Sequence, residues 1–198
     1  MYMKKSIAIL LAVLAVLAVI ALWGVGVYND LVAAQEDVES AWAQVENQYQ
    51  RRADLVPNLV ATVKGYAKHE QETLDQVVEA RAKATQITID PANATPQQLA
   101  AYQSAQGELT QALGRLLAVA ENYPDLKANE NFRDLQAQLE GTENRITIAR
   151  QMFNETARAY NTKVRRFPNN IIAGIAGFEK KPYFEAEQGA QHAPKVEF

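Results

Sequence analysis

The 198-residue sequence contains no cysteine. That absence excludes disulfides, cysteine-based zinc sites and cysteine nucleophiles, and it is compatible with an oxidising exterior. Histidine is nearly as scarce. His69 and His192 are the two present, which leaves little for imidazole catalysis or metal binding. There is no Gly-rich phosphate loop, no Ser/His/Asp set and no basic aromatic stripe, so no cofactor is expected. Excess positive charge is missing too. The chain carries −3 overall, and residues 28–198 carry −5, with 18 Lys/Arg against 23 Asp/Glu. A mildly acidic domain is a poor nucleic-acid binder.

Between residues 7 and 27 charge is absent altogether. As a helix, such a run spans roughly 30 Å, the hydrocarbon thickness of a bilayer. Cleaved signals carry a shorter apolar stretch of about 7–15 residues and a small-residue cleavage site; Gly24 and Gly26 match that site poorly. An uncleaved transmembrane helix is expected, with the lipid bilayer as its partner. Lys4 and Lys5 precede the run, and the next basic residue is Arg51. Basic flanks stay cytoplasmic, which predicts a single pass with residues 1–6 inside and the rest outside. Trp23 and Tyr28 then fall at the outer interface.

Beyond the span, apolar residues recur at helical spacing. Leu31, Ala34, Val38, Trp42, Val45 and Tyr49 form a first stripe, and residues 28–53 contain neither Gly nor Pro. Leu59, Val63, Ala67, Leu74, Val77 and Val78 form a second stripe, up to about Thr85. Pro57 lies between the two. Proline suits a first turn but disrupts a helix interior, so a turn or sharp kink is expected at residues 54–56; fusion through Pro57 is the structural alternative. Thr95-Pro96 reads as N-cap and first position of a third helix that stops near Tyr123-Pro124. The last helix repeats Phe132, Leu135, Leu139, Thr142, Ile146, Ala149, Phe153, Thr156 and Tyr160 in alternating steps of three and four, an a/d seam ending at Phe167-Pro168. The fold class is therefore all-α: a transmembrane helix (7–27), an up-and-down four-helix bundle (28–168) and an irregular C-terminal strap and tail (169–198).

Several strings are more specific than generic bundle sequence: RRADLVPNLV at 51–60, KGYAKHE at 64–70, FRDLQAQLEGTENRI at 132–146, AYNTKVRRFPNNIIAGIAGF at 159–178, then KKPYFEAE and APKVEF. Together they resemble the LemA family of bacterial single-span membrane proteins. The resemblance implies a bromodomain-like helical bundle on a bacterial inner membrane, with no established enzymatic activity. It also implies a weak link to membrane organisation, through a magnetosome-associated branch. The motif positions it marks here are Arg51, Arg52, Asp54, Pro57, Asn58, Tyr66, Phe132, Leu135, Glu140, Glu143, Asn144, Arg145, Tyr160, Asn161, Phe167, Pro168, Pro182 and Phe184.

Chemistry at these positions has a bland and a sharp reading. Glu140 and Glu143 share a helical face, and paired carboxylates suit acid–base work or a metal. Di-iron bundles use Glu-x-x-His, which this chain lacks. The favoured reading is that Glu140 or Glu143 pairs with Arg51, Arg52 or Arg145 to set helix register. Asp54 is expected to cap the second helix, and Tyr160 and Asn161 to bond across the bundle. The function expected is a non-enzymatic membrane scaffold or adaptor of the envelope, bound to further copies of itself and to other envelope proteins. The rival is a metal-binding or enzymatic bundle centred on Glu140 and Glu143. Self-association is expected from Ala8, Ala12, Ala15, Ala18 and Ala21, whose small side chains let membrane helices approach closely. The apolar Ile171, Ile172, Ile175 and Phe178 offer a second contact.

Overall fold

One helix, α1, runs from Tyr2 to Tyr66. The computed structural model describes residues 2–185, with side chains at Ile7 and from Ile9 onward. The side chain of Ala8 and the terminal APKVEF therefore lie outside the described residues. Up to Val25 the large apolar side chains of α1 are exposed on every face, and this part of the helix is long and apolar enough to cross a membrane. Burial begins at Val27. It continues at Leu31, Ala34, Val38, Trp42, Val45, Tyr49, Arg52, Val56, Leu59 and Val63, in steps of three and four. A single stripe thus packs against the rest of the chain from the end of the apolar run to the far tip, about 58 Å for residues 28–66.

The turn expected at residues 54–56 does not form, and Pro57 lies inside α1. The helix continues through Pro57, as the alternative had it, but it ends at Tyr66 and the second stripe resumes in a separate helix from Gln71, so the two expected helices do not merge into one. Proline has no N–H and leaves the carbonyl four residues back without its helical donor. Here that carbonyl belongs to Ala53, and it accepts instead from Arg81 Nε at 2.7 Å. A charged donor from a neighbouring helix removes the main electrostatic cost of an interior proline. Asp54 consequently caps nothing; its carboxylate accepts from Gln50 one turn earlier.

The break falls at residues 67–70, after which α2 (Gln71–Gln86) returns along α1. A loop leads to α3 (Pro96–Ala120), whose N-terminus is a capping box: Thr95 accepts from the Gln98 N–H and the Gln98 side chain accepts from the Thr95 N–H. The short α4 (Pro124–Ala128) precedes α5 (Glu130–Arg165), which is N-capped by Asn129. The buried stripe of α5 follows the expected seam through Phe153 and again at Tyr160, but it widens to take in Ala157, Asn161 and Val164 and leaves Thr156 half-buried. A straight helix repeats every 3.6 residues rather than 3.5, so a heptad stripe rotates off its face. The fold is all-α, and no strand occurs among the described residues.

The four long helices enclose two core clusters. The distal cluster joins α1 from Val56 on, α2, α3 and the start of α5. The proximal cluster joins α1 from Val27 to Tyr49 with Leu99, Tyr102 and the second half of α5. Only 16 residues long, α2 covers just the distal half. Its place in the proximal half is filled by Ile89 of the loop and Phe184 of the C-terminal segment. That segment is not irregular throughout: α6 (Asn169–Ala176) comes first, and Gly177, at φ 78°, closes it. Residues 177–185 then run back along the bundle as an extended strap.

Candidate functional site

Arg52 sits where the two core clusters meet, and it is 1% exposed. A buried guanidinium requires several acceptors to offset lost hydration. Its Nη1 donates to Glu143 Oε1 at 2.9 Å and Thr110 Oγ1 at 2.7 Å. Its Nη2 donates to the Gln106 carbonyl at 3.1 Å and the Gln106 side-chain oxygen at 2.6 Å. Gln106 in turn donates to the Ala84 carbonyl near the end of α2. One side chain thereby ties α1 to α3 and α5, and through Gln106 to α2. The guanidinium also lies over the Tyr49 ring at 5.0 Å. On one side of this layer opens a cleft of about 350 Å³ lined by Glu46, Tyr49, Tyr102, Gln106 and Ile87 among others. Burial and the charges of neighbouring Tyr49 and Glu46 hold the Tyr102 phenol far above its ordinary range.

The two glutamates proposed as a carboxylate pair part company. Glu143 turns in to Arg52, whereas Glu140 is exposed and accepts from Gln136. Among the described residues, no group of three His, Asp or Glu is placed to hold a metal ion. Arg51, Asn144 and Arg145 are exposed. Asn58 contributes its carbonyl to Thr62 Oγ1, and the Tyr66 hydroxyl accepts from Asn129 Nδ2 at 2.9 Å. Phe132 is buried and Leu135 half-buried in the distal core.

A second polar assembly holds the strap. The Asn161 amide donates to the Lys181 carbonyl and accepts from the Lys181 N–H, both at 2.8 Å. Asn154, seven residues earlier on α5, does the same to Phe184 at 2.9 Å in each direction. Gln103 of α3 repeats the pattern on Glu185 at 2.7 and 3.4 Å. Three side-chain amides thus read the strap backbone as a neighbouring strand would. Between them Phe184 stacks on Trp42 at 5.8 Å and meets Phe153 edge-on at 5.4 Å. Pro182 is half-buried. Lys181 is buried, with its Nζ donating to the Ala92 carbonyl and lying 5.5 Å from the centre of the Tyr160 ring. Burial lowers the Lys181 pKa, against the opposing pull of Glu39, Asp90 and Glu179. Tyr160 does not bond across the bundle as expected. Its hydroxyl is buried with no partner among the described residues, and burial, with Glu179 nearby, pushes it up to about 12. Asn161 bonds, but to the strap.

The residues expected to self-associate fall in two places. Ala12, Ala15, Ala18 and Ala21 are exposed along the apolar part of α1. Ile171 and Ile175 are exposed on α6 and Phe167 just before it, while Ile172, Phe178 and Pro168 are half-buried. Reading the sequence missed Arg81, Gln103, Asn154 and Lys181. Only the two asparagines, one heptad apart beside the seam, carried a visible signal.

The model of the LemA family matches residues 41–198. The chain belongs to the LemA family. The match begins within α1 and covers the bundle and the C-terminal segment, so the apolar run is not part of it. Among similar proteins, magnetosome protein MamQ 2 of Paramagnetospirillum magneticum is 28% identical, over 85% of this chain and 68% of its own. Magnetosome protein MamQ of Magnetospirillum gryphiswaldense is 27% identical with the same coverage. Protein LemA of Metamycoplasma hominis is 24% identical over 83% of this chain and 71% of its own. Membership and the apolar N-terminal part of α1 together describe a membrane-associated helical protein at the level of the family. No catalytic activity attaches to the family description or to the names of these relatives.

Proposed function

We propose that this LemA-family chain is a non-enzymatic membrane-anchored scaffold of the bacterial envelope. In this reading residues 7–27 cross the inner membrane with the N-terminus inside, and the bundle stands outside and binds further copies of the chain or other envelope proteins. The observation that carries the reading is the continuity of α1. One helix passes from the apolar run to the far end of the bundle without a joint, because Arg81 compensates Pro57. A partner bound anywhere on the bundle is thus held at a fixed height and angle over the bilayer. The polar layer at Arg52 serves this rigidity. It locks the register of helices that the apolar stripes alone would let slide. The magnetosome relatives favour a role in organising membranes. The exposed alanines of α1 supply the surface on which copies would meet.

Native mass measurement of the full chain extracted in mild detergent tests this. The expected result is a multiple of the 22.0 kDa chain mass, or a stoichiometric complex with another envelope protein, reduced by Ala12→Leu and Ala15→Leu. A lone monomer carrying a stoichiometric metal or small molecule would overturn it.

A further inference from the structure

At the membrane-proximal end of the bundle, α6 contains no charged residue, and its sequence is NNIIAGIA. Ala173 faces the bundle and is 2% exposed. The opposite face carries Ile171 at 49% exposure and Ile175 at 81%, and Phe167, just before the helix, is 76% exposed. Three large apolar side chains in water would be costly, and contiguous patches of this kind mark an interaction surface.

The depth of α6 along α1 identifies what covers it. A methyl group built on Gly24 would meet Ile172 Cδ1 at 3.5 Å, so Ile172 packs at the level of Gly24. Phe178, just past α6, meets the Tyr28 ring edge-on at 5.6 Å. Gly24 lies within the apolar run and Tyr28 immediately follows it. At that height a laterally projecting side chain meets the margin of the bilayer rather than bulk water. The flanks fit the same level: Arg165 and Arg166 precede α6, Lys180 follows it, and all three are exposed. Cations on either side of a short apolar helix, with Tyr28 against its C-terminal end, form the pattern of an interfacial helix under headgroups. The turn geometry holds it there. Gly177 adopts a left-handed conformation and the Phe178 N–H donates to the Ala173 carbonyl at 2.9 Å, which sends the chain back up the bundle as the strap.

We infer that α6 is a second membrane contact: Phe167, Ile171 and Ile175 lie in the acyl–headgroup boundary of the leaflet on the bundle's side, with Arg165, Arg166 and Lys180 on anionic headgroups. This rests on residues 7–27 spanning the bilayer. It goes further, because two non-collinear contacts fix the rotation of the bundle about α1 as well as its tilt.

The chain has no cysteine, so single cysteines can carry an environment-sensitive fluorophore in the full protein. Leu17→Cys, Ile171→Cys, Ile175→Cys and Ser104→Cys variants would be reconstituted into vesicles of phosphatidylethanolamine with a minority of phosphatidylglycerol. Nitroxide lipids labelled shallow or deep, and aqueous iodide, then report position. The expected result is shallow-nitroxide quenching and iodide protection at residues 171 and 175, deep quenching at 17, and iodide quenching alone at 104. Residues 171 and 175 behaving like 104 while 17 remains deep would overturn the inference and leave the membrane anchor standing. Protection of 171 and 175 from both quenchers, with self-quenching between labelled copies, would overturn it in favour of a protein contact. Loss of deep quenching at 17 would overturn the anchor itself.

Discussion

Arg81 Nε donates at 2.7 Å to the carbonyl of Ala53, the acceptor that Pro57 leaves without its helical N–H. The bond crosses from α2 to α1, so the proline is tolerated by tertiary structure and not by local conformation. Its removal is predicted to be context-dependent. Arg81→Met strands the carbonyl and is expected to cost about 1–3 kcal/mol. In a Pro57→Ala background the N–H restored at that position resumes the helical bond, and the same Arg81→Met change is expected to cost less by about 1 kcal/mol or more. Thermal melts of the four proteins in detergent, followed by helical circular dichroism, measure the coupling; additive effects would remove Arg81 from this role.

The second prediction concerns the Arg52 layer. Glu143 is 36% exposed, so water can solvate it when its partner is lost, whereas Arg52 has no such recourse. The two substitutions should therefore be unequal. Glu143→Ala leaves Arg52 with Gln106 and Thr110, and is expected to cost about 2 kcal/mol, below the range of about 3–5 for a fully buried pair. For a chain of this size that lowers Tm by about 4–8 °C. Arg52→Ala removes one of the largest fully buried side chains among the described residues and its tie between helices, and is expected to cost about 3–5 kcal/mol. Equal melting shifts, or a Glu143→Ala protein with unchanged Tm and lost biological activity, would contradict a register role.

These two sites show what the sequence could and could not display. Helix existence was legible because the stripes on α1 and α5 repeat over many turns and packing follows the stripe. Arg52 was legible only as a motif position and as one of three arginines, with Arg51 and Arg145, that could pair with Glu140 or Glu143. The turn expected at residues 54–56 hid its place on the buried stripe, and the two glutamates were not separable until the face of α5 turned toward Arg52 was known. The continuation past Pro57 was illegible because its cause lies 24 residues downstream in another helix. Likewise α6 was read as strap: an eight-residue apolar segment with a glycine inside it has no periodicity long enough to identify, and its helix is held by α1 and α5.

Titration of the strap region should give stability a maximum in the alkaline range. Lys181 has a folded pKa below its ordinary 10.5. Between that lowered value and about 10.5 the unfolded chain holds a proton that the folded chain has shed, so stability rises with pH there and is lost as pH falls through the folded value. Tyr160, raised to about 12, and Tyr102, raised further, work the other way. Their contribution is complete below about pH 10, where unfolded phenols begin to ionise, and is lost as pH climbs toward the folded values. Tm of the full chain is expected to rise toward about pH 10 and then fall. Lys181→Met should flatten the rise. Tyr160→Phe should blunt the fall and, by removing a buried hydroxyl without a partner among the described residues, raise stability at neutral pH by about 1 kcal/mol. A Tm that declines steadily from pH 7 in the Lys181→Met and parent proteins alike would place Lys181 outside the linkage.

The strap itself gives the last prediction. Asn154 and Asn161 each make a reciprocal pair of bonds to strap backbone, at Phe184 and Lys181. Neutral bonds of this type contribute about 1 kcal/mol each, and they anchor the strap backbone at and before Phe184, while Gln103 and Arg150 hold Glu185 just beyond it. In the proximal half of the bundle nothing from α2 is available to replace Phe184, because α2 ends at Gln86. Detaching the strap should therefore hydrate Trp42 while the distal core stays folded. Trp23→Phe leaves Trp42 as the sole tryptophan. In that background, Asn154→Ala with Asn161→Ala is expected to red-shift its emission and raise its quenching by acrylamide, with helical circular dichroism nearly unchanged. Phe184→Ala should reproduce the shift with both asparagines intact. If the double variant leaves Trp42 emission unmoved, the strap is held by its apolar contacts and the amide clamps contribute only to its register.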